Sequence, residues 1–277
     1  MSDNWIVEIL QNALNTWNAK LNEVWGLITE SPENFKGGTA WGVIKNVHGS
    51  LKAMGYGLLV LFFVMGVVKT CGSFAEVKRP EVAVKMFIRF ALAEAAITHG
   101  MELLMAILSV CQGVVSEIMG SGGADGQAPL SVPTSIVTAI ESVGFLDSIP
   151  LWIVSLIASL LVTALSFVVV LTVYSRFFKL YFHAAIAPVA LASFAGEPSQ
   201  GIGKSFLKSY AGACMEGAVI LLSCVIYSAL AASEPTVTDT TVVNMVWSYI
   251  GELAFNLLVL VGAVRLADST VRQMLGL

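Results

Sequence analysis

Leu151–Tyr174 is a run of 24 residues without a charged side chain. A helix of that length rises about 36 Å, enough to cross the roughly 30 Å hydrocarbon core of a bilayer. Inside lipid, every backbone N–H and C=O must be bonded within the protein, so such a run has to be helical. Its surroundings agree with this reading. Hydrophobic residues make up 56% of the chain and charged ones 12%, against roughly a quarter charged in soluble domains. The mean hydropathy is +0.80. The expected fold class is all-α, a polytopic helical membrane protein of about five transmembrane helices.

Four further runs qualify as spans: about 53–70, 90–117, 210–232 and 242–264. In the first, Lys52 and Lys69 flank Ala53–Val68 as snorkelling residues. The stretch 180–196 is apolar but carries His183 and Pro188 and ends in Gly196-Glu197-Pro198. It reads as a re-entrant or inner-leaflet segment with a tight elbow at Pro188, because proline removes a backbone donor and disfavours a straight helix. A Pro-kinked ordinary helix is the alternative.

Residues 1–40 form a separate N-terminal region, and 41–277 the helical membrane domain. Over 4–28, apolar side chains including Ile6, Leu10, Leu14, Trp17 and Trp25 recur at three- and four-residue spacing. Such a face suits a helix lying in the headgroup region, or one packed against a neighbouring span. Ser31-Pro32 ends it, and 35–41 forms a hinge. The N-terminal stretch is acidic rather than basic and has no compact apolar core before a small-residue cleavage site, so it does not read as a cleavable signal peptide.

Basic residues are unevenly placed. Eleven of the fifteen lie in 69–89, in 176–208 or in the tail after 264, whereas loops 119–150 and 233–241 contain none. The positive-inside rule then places the N-terminus outside and the C-terminus in the cytoplasm, with five crossings. This topology exports Lys20, Lys36, Lys45 and Lys52, which five acidic residues accompany.

Polar groups, ionisable except for Thr98, interrupt the spans at Glu94, Thr98-His99, Glu102, Glu216 and Glu252. At 100° per residue, Glu94, Thr98 and Glu102 fall within about 80° of one another, with His99 about 60° further round. Each ionisable group costs about 2.5–3.5 kcal/mol in lipid and should face protein or water. They read either as the lining of a polar pathway or as interhelical and subunit contacts. No Lys or Arg lies deep enough to pair readily with Glu102 or Glu252.

Other chemistry is not encoded in a recognisable form. The net charge of −4 provides no basic footprint for nucleic acid. Cys71, Cys111, Cys214 and Cys224 form no CxxC pair. Gly201-Ile-Gly-Lys-Ser205 imitates the end of a P-loop, but Pro198 stands where its first glycine belongs. His48, His99 and His183 are isolated in sequence, so no catalytic or metal set is visible. The expectation is a non-enzyme without cofactor or metal.

The segment Phe178-Lys-Leu-Tyr-Phe-His-Ala-Ala-Ile-Ala-Pro-Val-Ala, followed by Gly203-Lys-Ser-Phe-Leu-Lys208, resembles the TrbL or VirB-six family of membrane subunits of conjugative type IV secretion systems. Thr98-His-Gly-Met-Glu-Leu-Leu is similar to the compact members on Gram-positive mobile elements. The resemblance implies a structural channel or scaffold subunit supporting transfer of DNA and protein across the cell membrane. It marks Arg176, Lys179, Pro188, Gly203, Lys204 and Lys208 as a cytoplasmic elbow and basic helix. Implied partners are other secretion subunits including a cytoplasmic ATPase, membrane lipids, further copies in a homo-oligomer, and translocated nucleic acid in transit. The competing reading is a small-solute transporter or exporter with Glu94, Glu102 and Glu252 as an ion relay; the paired broken helices of that class are not evident.

Overall fold

The computed structural model describes residues 4–71, 80–123, 129–231 and 242–277. The basic pair Lys78-Arg79, part of the glycine-rich loop at 120–126 and the whole of loop 233–241 lie outside these. Every regular element among the described residues is helical: α1 (Trp5–Thr29), α2 (Thr39–Cys71), α3 (Pro80–Thr98), α4 (Gly100–Ile118), α5 (Thr134–Glu141), α6 (Phe145–Leu191), α7 (Gln200–Ala231) and α8 (Val242–Met274). Short 3₁₀ turns occupy Phe35–Gly38 and Ala192–Ala195. Five helices are long and apolar enough to cross a membrane, over Phe35–Lys69, Gly100–Ser121, Ser148–Ala195, Gln200–Ser228 and Val243–Met274.

The chain forms two compact units. The first comprises Met1–Thr29, Val115–Tyr174 and Gly217–Ala267; the second comprises Glu30–Val114, Ser175–Glu216 and Asp268–Leu277.

In the first unit, the apolar face of α1 is directed into protein. Ile6, Leu10 and Leu14 join Ile136 and Ile140 of α5, Leu151 and Val154 of α6, and Val246 and Ile250 of α8 in one buried cluster. Trp17 is fully buried as well. The packing alternative therefore describes this face, rather than insertion among headgroups. The polar side of α1 is also used. Asn4 caps the helix by accepting from Ile6 N (3.1 Å). Asn18 exchanges two hydrogen bonds with Leu130, donating to its O (2.8 Å) and accepting from its N (3.0 Å). That reciprocal amide pairing fixes the segment leading into α5.

In the second unit, the hinge at 35–41 is a left-handed joint. Lys36, Gly37 and Gly38 have φ of 51°, 78° and 75°, a region favourable chiefly to glycine. A Cβ on Gly38 would also stand 2.7 Å from Glu33 O. Just before these residues, Phe35 stacks on Phe177 with centroids 4.0 Å apart. Tyr181 donates its hydroxyl to Pro32 O (3.0 Å).

Several sequence expectations change here. The span expected over 90–117 is two helices, α3 and α4, separated at His99. The span expected at 210–232 belongs to a helix starting at Gln200, and the one at 242–264 continues to Met274. The segment 180–196 does not turn at Pro188. It forms the end of the 47-residue α6, which passes through Pro188 to Leu191. The chain reverses at Gly196–Ser199 instead, where Gly196 is extended (φ −104°, ψ 139°). There Ser199 donates its hydroxyl to Ser193 O (2.7 Å).

Close approach explains the position of that reversal. A Cβ on Gly196 would lie 2.6 Å from Phe62 O, and one on Gly55 would lie 2.8 Å from Pro188 O. These glycines let α2 lie backbone against backbone on the end of α6, alongside its proline-containing turn.

Candidate functional site

One face of α2 carries His48, Lys52 and Tyr56 at four-residue spacing, which stacks them in a single row. His48 reaches Ala184 of α6, while Lys52 and Tyr56 both reach Thr98 of α3. Helical geometry pairs N–H(i) with C=O(i−4); Pro188 has no N–H, so Ala184 O loses its partner in α6. His48 Nδ1 lies 2.7 Å from that oxygen. A carbonyl only accepts, so Nδ1 carries the hydrogen. His48 is 3% exposed, and the bond takes the place of the one proline removes.

Lys52 Nζ donates to Thr98 O at the C-terminus of α3 (2.8 Å). It therefore does not snorkel outward as the sequence suggests; a cation at a helix C-terminus also meets the negative end of the helix dipole. Thr98 Oγ1 donates to Glu94 Oε1 (2.9 Å). Its one proton is thereby committed, so Tyr56 OH, 2.9 Å from the same Oγ1, is the donor in that contact. His99 Nδ1 meets Glu102 Oε2 at 2.9 Å, with both side chains largely exposed. The polar residues read from the sequence at 94–102 are thus gathered at the junction of α2, α3 and α4. Lys52 and Tyr56 belong to the group and were legible only as a flank and an aromatic.

A second group ties α6, α7 and α8 together. Lys179 Nζ lies 3.0 Å from Glu216 Oε2 and 2.9 Å from Asp268 Oδ1. Asp268 Oδ2 in turn meets Arg272 Nε at 3.0 Å. Glu216 and Arg176 are each 1% exposed. Arg176 directs Nε to Ala213 O and Nη2 to Cys214 O, both at 3.4 Å. A desolvated carboxylate is tolerable only when paired, and Glu216 obtains its cation from α6. Asp268 had no place among the sequence candidates, because it sits in a tail that reads as cytoplasmic and charged.

His183 hydrogen-bonds Lys179 O (2.7 Å) and Ser209 Oγ (3.1 Å), linking α6 to α7. Gly203 lets α7 press on the turn before it; a Cβ there would lie 2.8 Å from the Phe194 ring. Lys208 donates to Leu275 O (3.1 Å) near the end of α8, while Lys204 is exposed. Glu252, in the first unit, is exposed on α8. Among the described residues, no group of three or more His, Cys, Asp or Glu side chains could hold a metal ion. The second unit thus spends its polar side chains on joining helices.

Residues 17–188 match the family described as TrbL/VirB6 plasmid conjugal transfer like protein. The chain belongs to the TrbL/VirB6 family. The match runs from within α1 to Pro188 and so takes in both α2 anchor points, Ala184 and Thr98. It stops before Gly203–Lys208, so that part of the sequence resemblance stands outside it. No curated protein and no solved structure matches the chain. Membership in the TrbL/VirB6 family and five apolar helices of membrane-crossing length make this a multi-pass membrane subunit related to conjugal transfer, associated with other components of such a system.

Proposed function

We propose that this TrbL/VirB6 protein is a non-enzymatic scaffold subunit of the membrane channel through which a conjugative type IV secretion system passes DNA and protein. The family match over 17–188 carries the reading. It is supported by the use of Lys52, Tyr56, Lys179, Glu216 and Asp268 to fasten helices to one another, which is what a rigid wall requires.

In this proposal several copies form a ring, with N-termini outside and C-termini in the cytoplasm. A cytoplasmic ATPase docks on the basic surface at Lys204 and Lys208, and the translocated strand is bound only in passage. The test is an in-frame deletion with complementation in a donor cell. The deletion should abolish element transfer while relaxase nicking of DNA stays normal, and the wild-type gene should restore it. Intact transfer, with altered uptake or efflux of a small solute, would replace this reading with the transporter one.

A further inference from the structure

A cavity of about 250 Å³ opens in the second unit between α2, α3 and the turn after α6. Its wall is two-natured. Phe63, Val82 and Met86 form an apolar side; Lys85, Arg89 and Glu197 form a charged side. Phe63 is braced edge-on by Phe90, with centroids 5.0 Å apart. Arg89 Nη2 reaches Glu197 Oε1 at 3.4 Å, so these two charges largely cancel. Lys85 is exposed and makes no ion pair with any described residue. The cavity therefore presents one uncompensated positive charge beside an apolar wall.

The helix faces next to it are apolar and open. On α3, Val84, Phe87, Ile88 and Leu92 are exposed at helical spacing, Phe87 by 68%. On α2, Val60, Val64 and Val68 are exposed in the same way, and Lys69 ends the apolar run. A basic pocket at the margin of such a surface is where a lipid headgroup meets a membrane protein.

We propose that this cavity binds the phosphodiester of an anionic glycerophospholipid. Lys85 and the free edge of the Arg89 guanidinium take the phosphate, and an acyl chain runs from Met86 and Val82 along the exposed side of α3. The single negative charge of one phosphodiester balances the positive charge of Lys85. A free phosphate shares the headgroup chemistry but gains nothing from Phe63, Val82 and Met86. The proposal rests on membrane placement and is independent of the conjugal role.

The experiment uses the full chain purified in a neutral maltoside detergent. Thermal unfolding is followed against dioctanoyl phosphatidylglycerol, dioctanoyl phosphatidylcholine and inorganic phosphate, and native mass spectrometry counts bound lipid. Phosphatidylglycerol should stabilise the protein saturably. Its half-saturation should rise at least tenfold in Lys85→Gln, which changes an exposed side chain, and in Val82→Trp, which fills the cavity. Lys85→Arg should bind as the wild type does. Phosphatidylcholine binding as tightly as phosphatidylglycerol would overturn the charge assignment. Phosphate acting as well as the lipid would make this a site for the free anion and overturn the lipid. Unchanged binding in both Lys85→Gln and Val82→Trp would remove the site altogether.

Discussion

The bond from His48 to Ala184 O can be isolated by a double-mutant cycle, because its acceptor exists only through Pro188. His48→Ala leaves a buried carbonyl without a donor, a loss of about 1–3 kcal/mol. Measured interhelical hydrogen bonds in membrane proteins average nearer 0.6 and reach about 1.7 kcal/mol, so about 1–2 kcal/mol is expected for this carbonyl, plus a cavity contribution from the lost ring. Pro188→Ala restores an N–H to residue 188, and Ala184 O can then bond within α6. In that background, His48→Ala should cost only the cavity contribution. The two substitutions should therefore be non-additive by about 1–2 kcal/mol, well above the roughly 0.3–0.5 kcal/mol scatter of independent sites. His48→Asn, whose amide can stand near Nδ1, should recover part of the loss. The assay is reversible unfolding of the purified chain in mixed detergent and dodecyl sulfate micelles, followed by tryptophan fluorescence. Additive costs within 0.5 kcal/mol would refute the pairing of His48 with the carbonyl that proline frees.

Three more outcomes can be checked. Lys179→Met strands Glu216 among apolar helices, where breaking a buried pair costs about 3–5 kcal/mol; its membrane abundance should fall sharply, and the double variant Lys179→Met, Glu216→Met should recover most of it. Gly196→Ala drives a methyl group into Phe62 O and should lower the melting temperature by several degrees, for an overpacking cost of about 1–3 kcal/mol, while Gly57→Ala, with nothing within 4 Å of the added Cβ, should not. With the native cysteines removed, Ser121→Cys should react with an impermeant thiol reagent in intact cells and Leu277→Cys should not; the reverse pattern would invert the proposed orientation.

The spans were legible because a charge-free run such as 151–174 has few alternatives in water or lipid. Their joints were less so. Pro188 carries a strong local signal for a break, and what overrides it is a histidine 140 positions earlier in the chain, with Gly55 beside it. Periodicity grouped Glu94, Thr98 and Glu102 on one face; in the structure Thr98 bonds Glu94 while Glu102 meets His99 across the break, and spacing gave no hint that Lys52 and Tyr56 of another helix reach Thr98. Likewise, the apolar face of α1 was plain in its spacing, whereas spacing alone does not distinguish lipid from α5, α6 and α8 as the surface it meets. Glu216 drew notice as a costly charge, but its partners Lys179 and Asp268 lie on two other helices. Local rules describe what a segment needs, and the supplier in each case is remote in sequence.

The row His48–Lys52–Tyr56 also bears on how this chain can change length. All three anchors engage from one face of a single helix, so they share one register. An inserted residue between His48 and Tyr56 turns everything beyond it by about 100° and lifts it by about 1.5 Å, parting at least one anchor from its target. Seven inserted residues nearly restore the angle but add about 10.5 Å of height. Relatives of this protein should therefore gain and lose residues in the stretches between helices while keeping the eight-residue interval from His48 to Tyr56 free of gaps.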